Sequence, residues 1–154
     1  CNVRGNVAYV KVDKYGKVDL EMLKSLIRKD TVLISVIYAN NEIGTINNIL
    51  EISKIAKENN VLFHTDACQA ASLVNLENID SLTFNGSRIY APKGIGMLYV
   101  KRGAKLKPLI HGGGQEQGLR SGTKNVYGII GFVKERLFWW INFLEMVQRS
   151  LKMV

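Results

Sequence analysis

Residues 31–39, TVLISVIYA, form a continuous apolar run rich in β-branched residues. A run that does not alternate suits a strand buried on both faces, the kind found in parallel sheets. A second apolar strand is predicted at 61–67, VLFHTDA, with a helix over about 47–59 between the two. Strand, helix and strand in that order make a crossover unit, in which the two strands run parallel. Shorter strands are predicted at 81–85, SLTFN, and 96–101, GMLYVK. Upstream, 6–12, NVAYVKV, alternates as a strand and DKYG turns the chain. Residues 19–29 place Leu20, Leu23, Leu26 and Ile27 at helical spacing, with Asp19 as the cap. The fold class is therefore α/β: a mainly parallel sheet with flanking helices. In such sheets chemistry gathers where strands end, which directs attention to ANNEIG, HTDACQ and NGSR.

From about residue 126 the character changes. Val133, Leu137, Trp140, Ile141, Leu144, Val147 and Leu151 make an apolar stripe at helical spacing. Its densest part is short and is broken by Asn142 and Glu145, so it does not suit a bilayer span. The expectation is two parts: 1–131 as the body of a domain, and 132–154 as an apolar helical tail that seeks a partner surface. The net charge of +8 raises nucleic-acid binding. The basic cluster Lys101, Arg102, Lys105 and Lys107 lacks interleaved aromatic residues, however, and no nucleic-acid-binding motif is present. A solvated basic face is the better reading. Cys1 and Cys68 are too few and too far apart for a disulfide framework, which fits a reducing, cytoplasmic compartment. The chain starts at Cys1 with nothing resembling a signal sequence, and reads as a piece of a longer protein.

Two stretches bear on chemistry. On a strand, His64, Asp66 and Cys68 share one face, but three residues do not complete a zinc site. His111 is the only other histidine and nothing forces it nearby, so no metal is expected. Asp66 instead suits a carboxylate that holds a protonated ring nitrogen, as pyridoxal phosphate requires to act as an electron sink. HGGGQEQGLRSGT, 111–123, has neither the P-loop ending nor the dinucleotide glycine spacing. What remains is a flexible loop with exposed N–H groups, Arg120, Ser121 and Thr123.

ANNEIGTINNILEISKIAKENNVLFHTDACQA, NGSRIYAPKGIGMLYVKRG and HGGGQEQGLRSGT occur in this order, and together the chain resembles the cysteine desulfurases. Those are pyridoxal-phosphate enzymes of the class-V aminotransferase superfamily; the likeness covers most of residues 6–131, as part of the cofactor-binding large domain, and the apolar tail 132–154 is expected to depart from the family. It implies part of the large cofactor-binding domain of a fold-type I pyridoxal-phosphate transferase. It further implies sulfur removal from L-cysteine for iron–sulfur cluster assembly, a homodimer with shared sites, and a scaffold or sulfur-acceptor partner. By the same resemblance Asp66 would pair with the pyridine nitrogen, and Gln69 and Asn41 would contact the ring's 3-oxygen and the substrate side. Asn85 and Ser87 would face the phosphate, where the family usually has serine and histidine. Thr123 would reach the phosphate in the other subunit, and His64 would support the cofactor strand. Gln117 replaces an arginine common in the family. Cys68 does not correspond to the sulfur-carrying cysteine, whose segment is absent from these residues.

Arg88 stands where the resemblance implies the Schiff-base lysine. A lysine amine can lose a proton and attack an aldehyde, whereas guanidinium stays protonated and is a poor nucleophile. Lys93 is the nearest other amine, in a loop beyond Pro92. The expectation is a desulfurase-like chain that is inactive as it stands and whose cofactor binding is weakened or lost. Two alternatives stay open: a non-catalytic scaffold or partner subunit that keeps the fold, and a basic nucleic-acid-binding module.

Overall fold

The computed structural model describes residues 5–70 and 77–134. Helix α1 is Leu20–Leu26, and its first turn is capped by Asp19, whose Oδ1 accepts from the Met22 N–H at 3.0 Å. It stops earlier than the apolar spacing suggests, because Ile27 turns to extended backbone (ψ 127°). Strand β1 is Leu33–Ile37, and helix α2, Ile49–Glu58, follows. Asn48 caps α2 reciprocally: its Oδ1 accepts from the Glu51 N–H while its Nδ2 donates to Glu51 Oε2. Ile49, Ile52, Ile55 and Ala56 form the buried stripe of α2, and Asn60 ends the segment in the left-handed region (φ 56°). Strands β2 (Leu62–Asp66), β3 (Ser81–Asn85) and β4 (Gly96–Val100) complete the sheet.

The order is β1-β2-β3-β4, with β1, β2 and β3 parallel and β4 antiparallel to β3. The short route from β3 to β4 explains the reversal. A 3₁₀ turn at Gly86–Arg88 begins it, Gly86 N donates to Ile95 O at 2.9 Å, and the chain comes straight back. Gly86 is required there, since a Cβ would lie 2.8 Å from Ile95 O and 2.6 Å from Ile95 Cγ2. One buried cluster joins Leu23 of α1 and the α2 stripe to Ile34, Phe63, Leu82 and Phe84 of the strands. Residues 126–134 are helical and bring Phe132 into the same cluster.

Two expectations are corrected. Residues 6–12 do not form a strand: only Val12 bridges, to Val18, while Val7 and Tyr9 are exposed. Alternation makes a strand only where a neighbour offers a ladder, and none of the described strands does so. Strand β1 is not buried on both faces. It lies at the edge of the described sheet, and Leu33 and Ser35 are exposed. The tail stripe from Leu137 onward lies outside the described residues.

Candidate functional site

The three parallel strands end on the same edge of the sheet, and the residues singled out in the sequence follow those ends. Beyond β1 the ladder continues, with Tyr38 N donating to Asp66 O at 2.8 Å. The next loop is closed by Asn40, whose Oδ1 accepts from Glu42 and Ile43 N–H groups at 2.9 and 3.1 Å. Asn41 stands exposed in that loop. A residue that the sequence did not single out, Asn47, anchors it. Asn47 is buried; its Oδ1 accepts from Val18 N at 3.0 Å and its Nδ2 donates to Ile37 O at 2.9 Å. Its backbone N–H donates to Tyr38 O.

At the end of β2, Asp66 Oδ1 accepts from the Cys68 N–H at 2.9 Å, which fixes the carboxylate over the start of the next turn. Ala67 N donates to Thr83 O, and Asp66 pairs with Thr83 in the sheet register. Gln69 follows, exposed. At the end of β3, Asn85 Oδ1 accepts from both the N–H and the hydroxyl of Ser87, at 3.0 and 2.8 Å. Arg88 closes the 3₁₀ turn with its side chain in solvent. An open concavity beside this turn is lined by Phe84, Asn85, Ser87, Lys93, Gly94, Ile95 and Gly96. The fold thus brings Lys93 to the same hollow as Asn85 and Ser87.

Two titratable groups behind this edge depart from ordinary values. Burial pushes the Cys68 thiol up to about 11, the neighbouring Asp66 carboxylate adds to the rise, and the Arg88 charge opposes it weakly. Cys68 is therefore a protonated thiol at neutral pH, not a ready nucleophile. His64 is lowered, mainly by burial, against the opposing pull of Asp66. Its Nδ1 lies 2.8 Å from Ser35 Oγ on β1, a pairing set by the Ser35–His64 register. Ser35, set within an apolar run and facing the same side as His64, was a signal the sequence offered only once strand register was known.

The glycine-rich loop does not join this group through any described bond. It closes on itself: Gly122 N donates to Gln115 Oε1, Gly114 N to Ser121 Oγ, and Arg120 Nη1 to Ser121 O. Thr123 lies exposed after it. Among the described residues, no group of three or more His, Cys, Asp or Glu side chains is placed to hold a metal ion, so His64, Asp66 and Cys68 do not converge on one. No described helix is long and apolar enough to cross a membrane.

Comparison with known proteins follows the same lines. The chain is 52% identical over 132 residues to a cysteine desulfurase IscS of Methanosarcina thermophila, covering 83% of this chain and 33% of the relative. It is also 52% identical over 134 residues to the mitosomal cysteine desulfurase of Trachipleistophora hominis, covering 83% of this chain and 30% of the relative. It therefore spans about a third of the length of these curated relatives. Among solved structures, a NifS-like protein superposes with a TM-score of 0.79 at 44% identity, over 84% of this chain and 37% of the other. SspA in complex with cysteine gives a TM-score of 0.82 at 39% identity, over 85% and 40%. The sheet described above is accordingly part of a larger domain in these neighbours. The sequence profile described as Aminotransferase class-V matches residues 2–150, and the chain belongs to that family.

Proposed function

We propose that this chain carries one side of a pyridoxal-phosphate cradle of the cysteine-desulfurase type, without the group that would attach the cofactor covalently. The observation that carries the reading is the position of Asp66 at the end of β2 and of Asn85, Ser87 and Arg88 at and just after the end of β3, the adjacent parallel strand. Anionic and heteroaromatic ligands are bound at such strand ends in open α/β sheets. The residues present fit the non-covalent needs of the cofactor. A carboxylate already oriented by the Cys68 N–H is suited to a protonated ring nitrogen. The Asn85–Ser87 turn and the Arg88 guanidinium supply polar and cationic groups for a phosphate. Asn41, Gln69 and, from a second copy, Thr123 complete the set assigned by resemblance. When bound, pyridoxal phosphate supplies an electron sink.

The covalent need is not met. Arg88 keeps its proton and cannot attack a carbonyl, and Lys93 sits in the hollow beside Asn85 rather than on the turn itself. No chemical step through the cofactor is assigned to this chain. Its own residues bind and orient: Asp66 holds a proton at a ring nitrogen, His64 and Ser35 brace β1 against β2, and Asn47 fixes the loop that bears Asn41. The relatives named cysteine desulfurases support L-cysteine as the ancestral substrate. A homodimer, an iron–sulfur scaffold or sulfur-acceptor partner, and a cytoplasmic setting belong to the same reading. A second reading, a non-catalytic partner that keeps the fold, is favoured by two features together: guanidinium at position 88 and a protonated Cys68.

Equilibrium dialysis against pyridoxal phosphate tests the cradle. The chain should bind reversibly, and Asp66→Ala should weaken binding at least tenfold, about the 1.4 kcal/mol that one lost charge-assisted bond supplies. Equal affinities, or no binding by the unaltered chain, would remove the cofactor reading.

A further inference from the structure

Charge in the hollow beside the 3₁₀ turn is one-sided. Asn85 and Ser87 of the turn line it together with Lys93 and Gly94 of the returning chain, and no carboxylate is among the described residues that do so. The ion pairs formed among the described residues engage Lys24, Arg28, Lys101 and Lys124, and none engages Lys93. Gly94 has φ 84°, left-handed backbone that glycine adopts without cost, and it turns the chain directly after Lys93. Asn85 is oriented as well. Its Oδ1 is taken up by the N–H and hydroxyl of Ser87, which leaves the Nδ2 amide as a donor. Arg88 does not line the hollow, and its side chain lies in solvent.

An ammonium without a carboxylate partner, set in a concavity beside neutral donors, is matched by a small, highly charged anion. We propose that this hollow is a phosphate site in which Lys93, not Arg88, supplies the charge and Asn85 the oriented amide donor. The inference rests on the phosphate half of the reading above and adds Lys93 to it, and it does not need the ring contact of Asp66. A free phosphate and the phosphate ester of the cofactor present the same chemistry to these groups.

The test is a phosphorus NMR titration of the chain with inorganic phosphate in low-salt buffer, where screening is weak. The unaltered chain should bind phosphate, and Lys93→Gln should weaken binding at least tenfold. Lys93→Arg, which keeps the charge, should stay within about threefold of the unaltered chain. Lys54→Gln makes the same charge change at an exposed position of α2 and should leave binding unchanged. Competition identifies the source of the anion. Displacement by pyridoxamine phosphate, which has no aldehyde to react with Lys93, but not by pyridoxamine puts the cofactor's phosphate in the hollow. Phosphate that pyridoxamine phosphate leaves in place assigns the hollow to a free anion. The inference is overturned if phosphate does not bind, or if Lys93→Arg binds no better than Lys93→Gln. It is also overturned if Lys93→Gln binds as well as Lys54→Gln, which would make the attraction a property of the net charge of +8. Pyridoxal phosphate binding that Asp66→Ala weakens and Lys93→Gln does not would overturn this inference and leave the cradle standing. Lys93-dependent phosphate binding in a chain that takes up no pyridoxal phosphate would do the reverse.

Discussion

Whether Cys68 can serve as a sulfur nucleophile is decided by its thiolate fraction, which alkylation reads directly. A thiol at about 11 is roughly 0.1% ionised at pH 8, whereas a free cysteine near 8.5 is about one-quarter ionised. The ratio predicts that iodoacetamide modifies Cys68 about 200-fold more slowly than a free thiol at that pH, since the thiolate is the reacting form. Slow modification alone does not separate ionisation from poor access, but the pH profile does. In a Cys1→Ser background, followed by intact mass, the logarithm of the Cys68 rate should climb about one unit per pH unit from pH 7 to 10 without levelling. Burial is the first cause of the rise, and Asp66 adds to it through a hydrogen bond and its charge. Asp66→Asn should therefore bring the midpoint down while leaving it above the ordinary thiol value. A plateau near pH 8.5–9 in the unaltered Cys68 would refute the reasoning and restore Cys68 as a competent nucleophile.

Other outcomes follow from the same contacts. Removing Asn47 leaves Val18 N–H and Ile37 C=O without their side-chain partner, so Asn47→Ala should lower unfolding free energy in urea by about 2–4 kcal/mol. A change below about 1 kcal/mol would show that water replaces both bonds. Asp19→Ala removes the α1 cap and should cost about 1 kcal/mol by thermal denaturation, and a neutral result would mean that the cap is not formed in solution. The Cys68 thiol holds its proton more tightly folded than unfolded. Stability should therefore fall as pH rises through the window from about 8.5 to about 11, and Cys68→Ser should flatten that slope.

The parallel core was legible because its strands and α2 announce themselves locally. Apolar runs bounded by turns gave β1, β2 and β3 near their observed limits, and Asp19 capped α1 as its spacing implied. Local signals cannot say what lies across a face, and there the sequence reading failed. TVLISVIYA is written for burial on both sides, yet β1 lies at the edge of the described sheet with Leu33 and Ser35 exposed. NVAYVKV alternates, yet only Val12 finds a bridging partner. The carboxyl-edge placement of Asp66, Asn85, Ser87 and Arg88 followed from strand order. The bracing pair Ser35–His64 and the buried anchor Asn47 needed register and tertiary contacts, which no periodicity reports.

The substitution of guanidinium for amine at position 88 is tested most directly by borohydride reduction in the presence of pyridoxal phosphate, followed by peptide mapping by mass spectrometry. The unaltered chain should yield no pyridoxylated peptide above that of a denatured control. Arg88→Lys should yield one, on residue 88, because the turn at Gly86–Arg88 already presents that position at the end of β3. A pyridoxylated Lys93 in the unaltered chain, or an unmodified residue 88 in Arg88→Lys, would contradict a cradle that lacks only its covalent anchor.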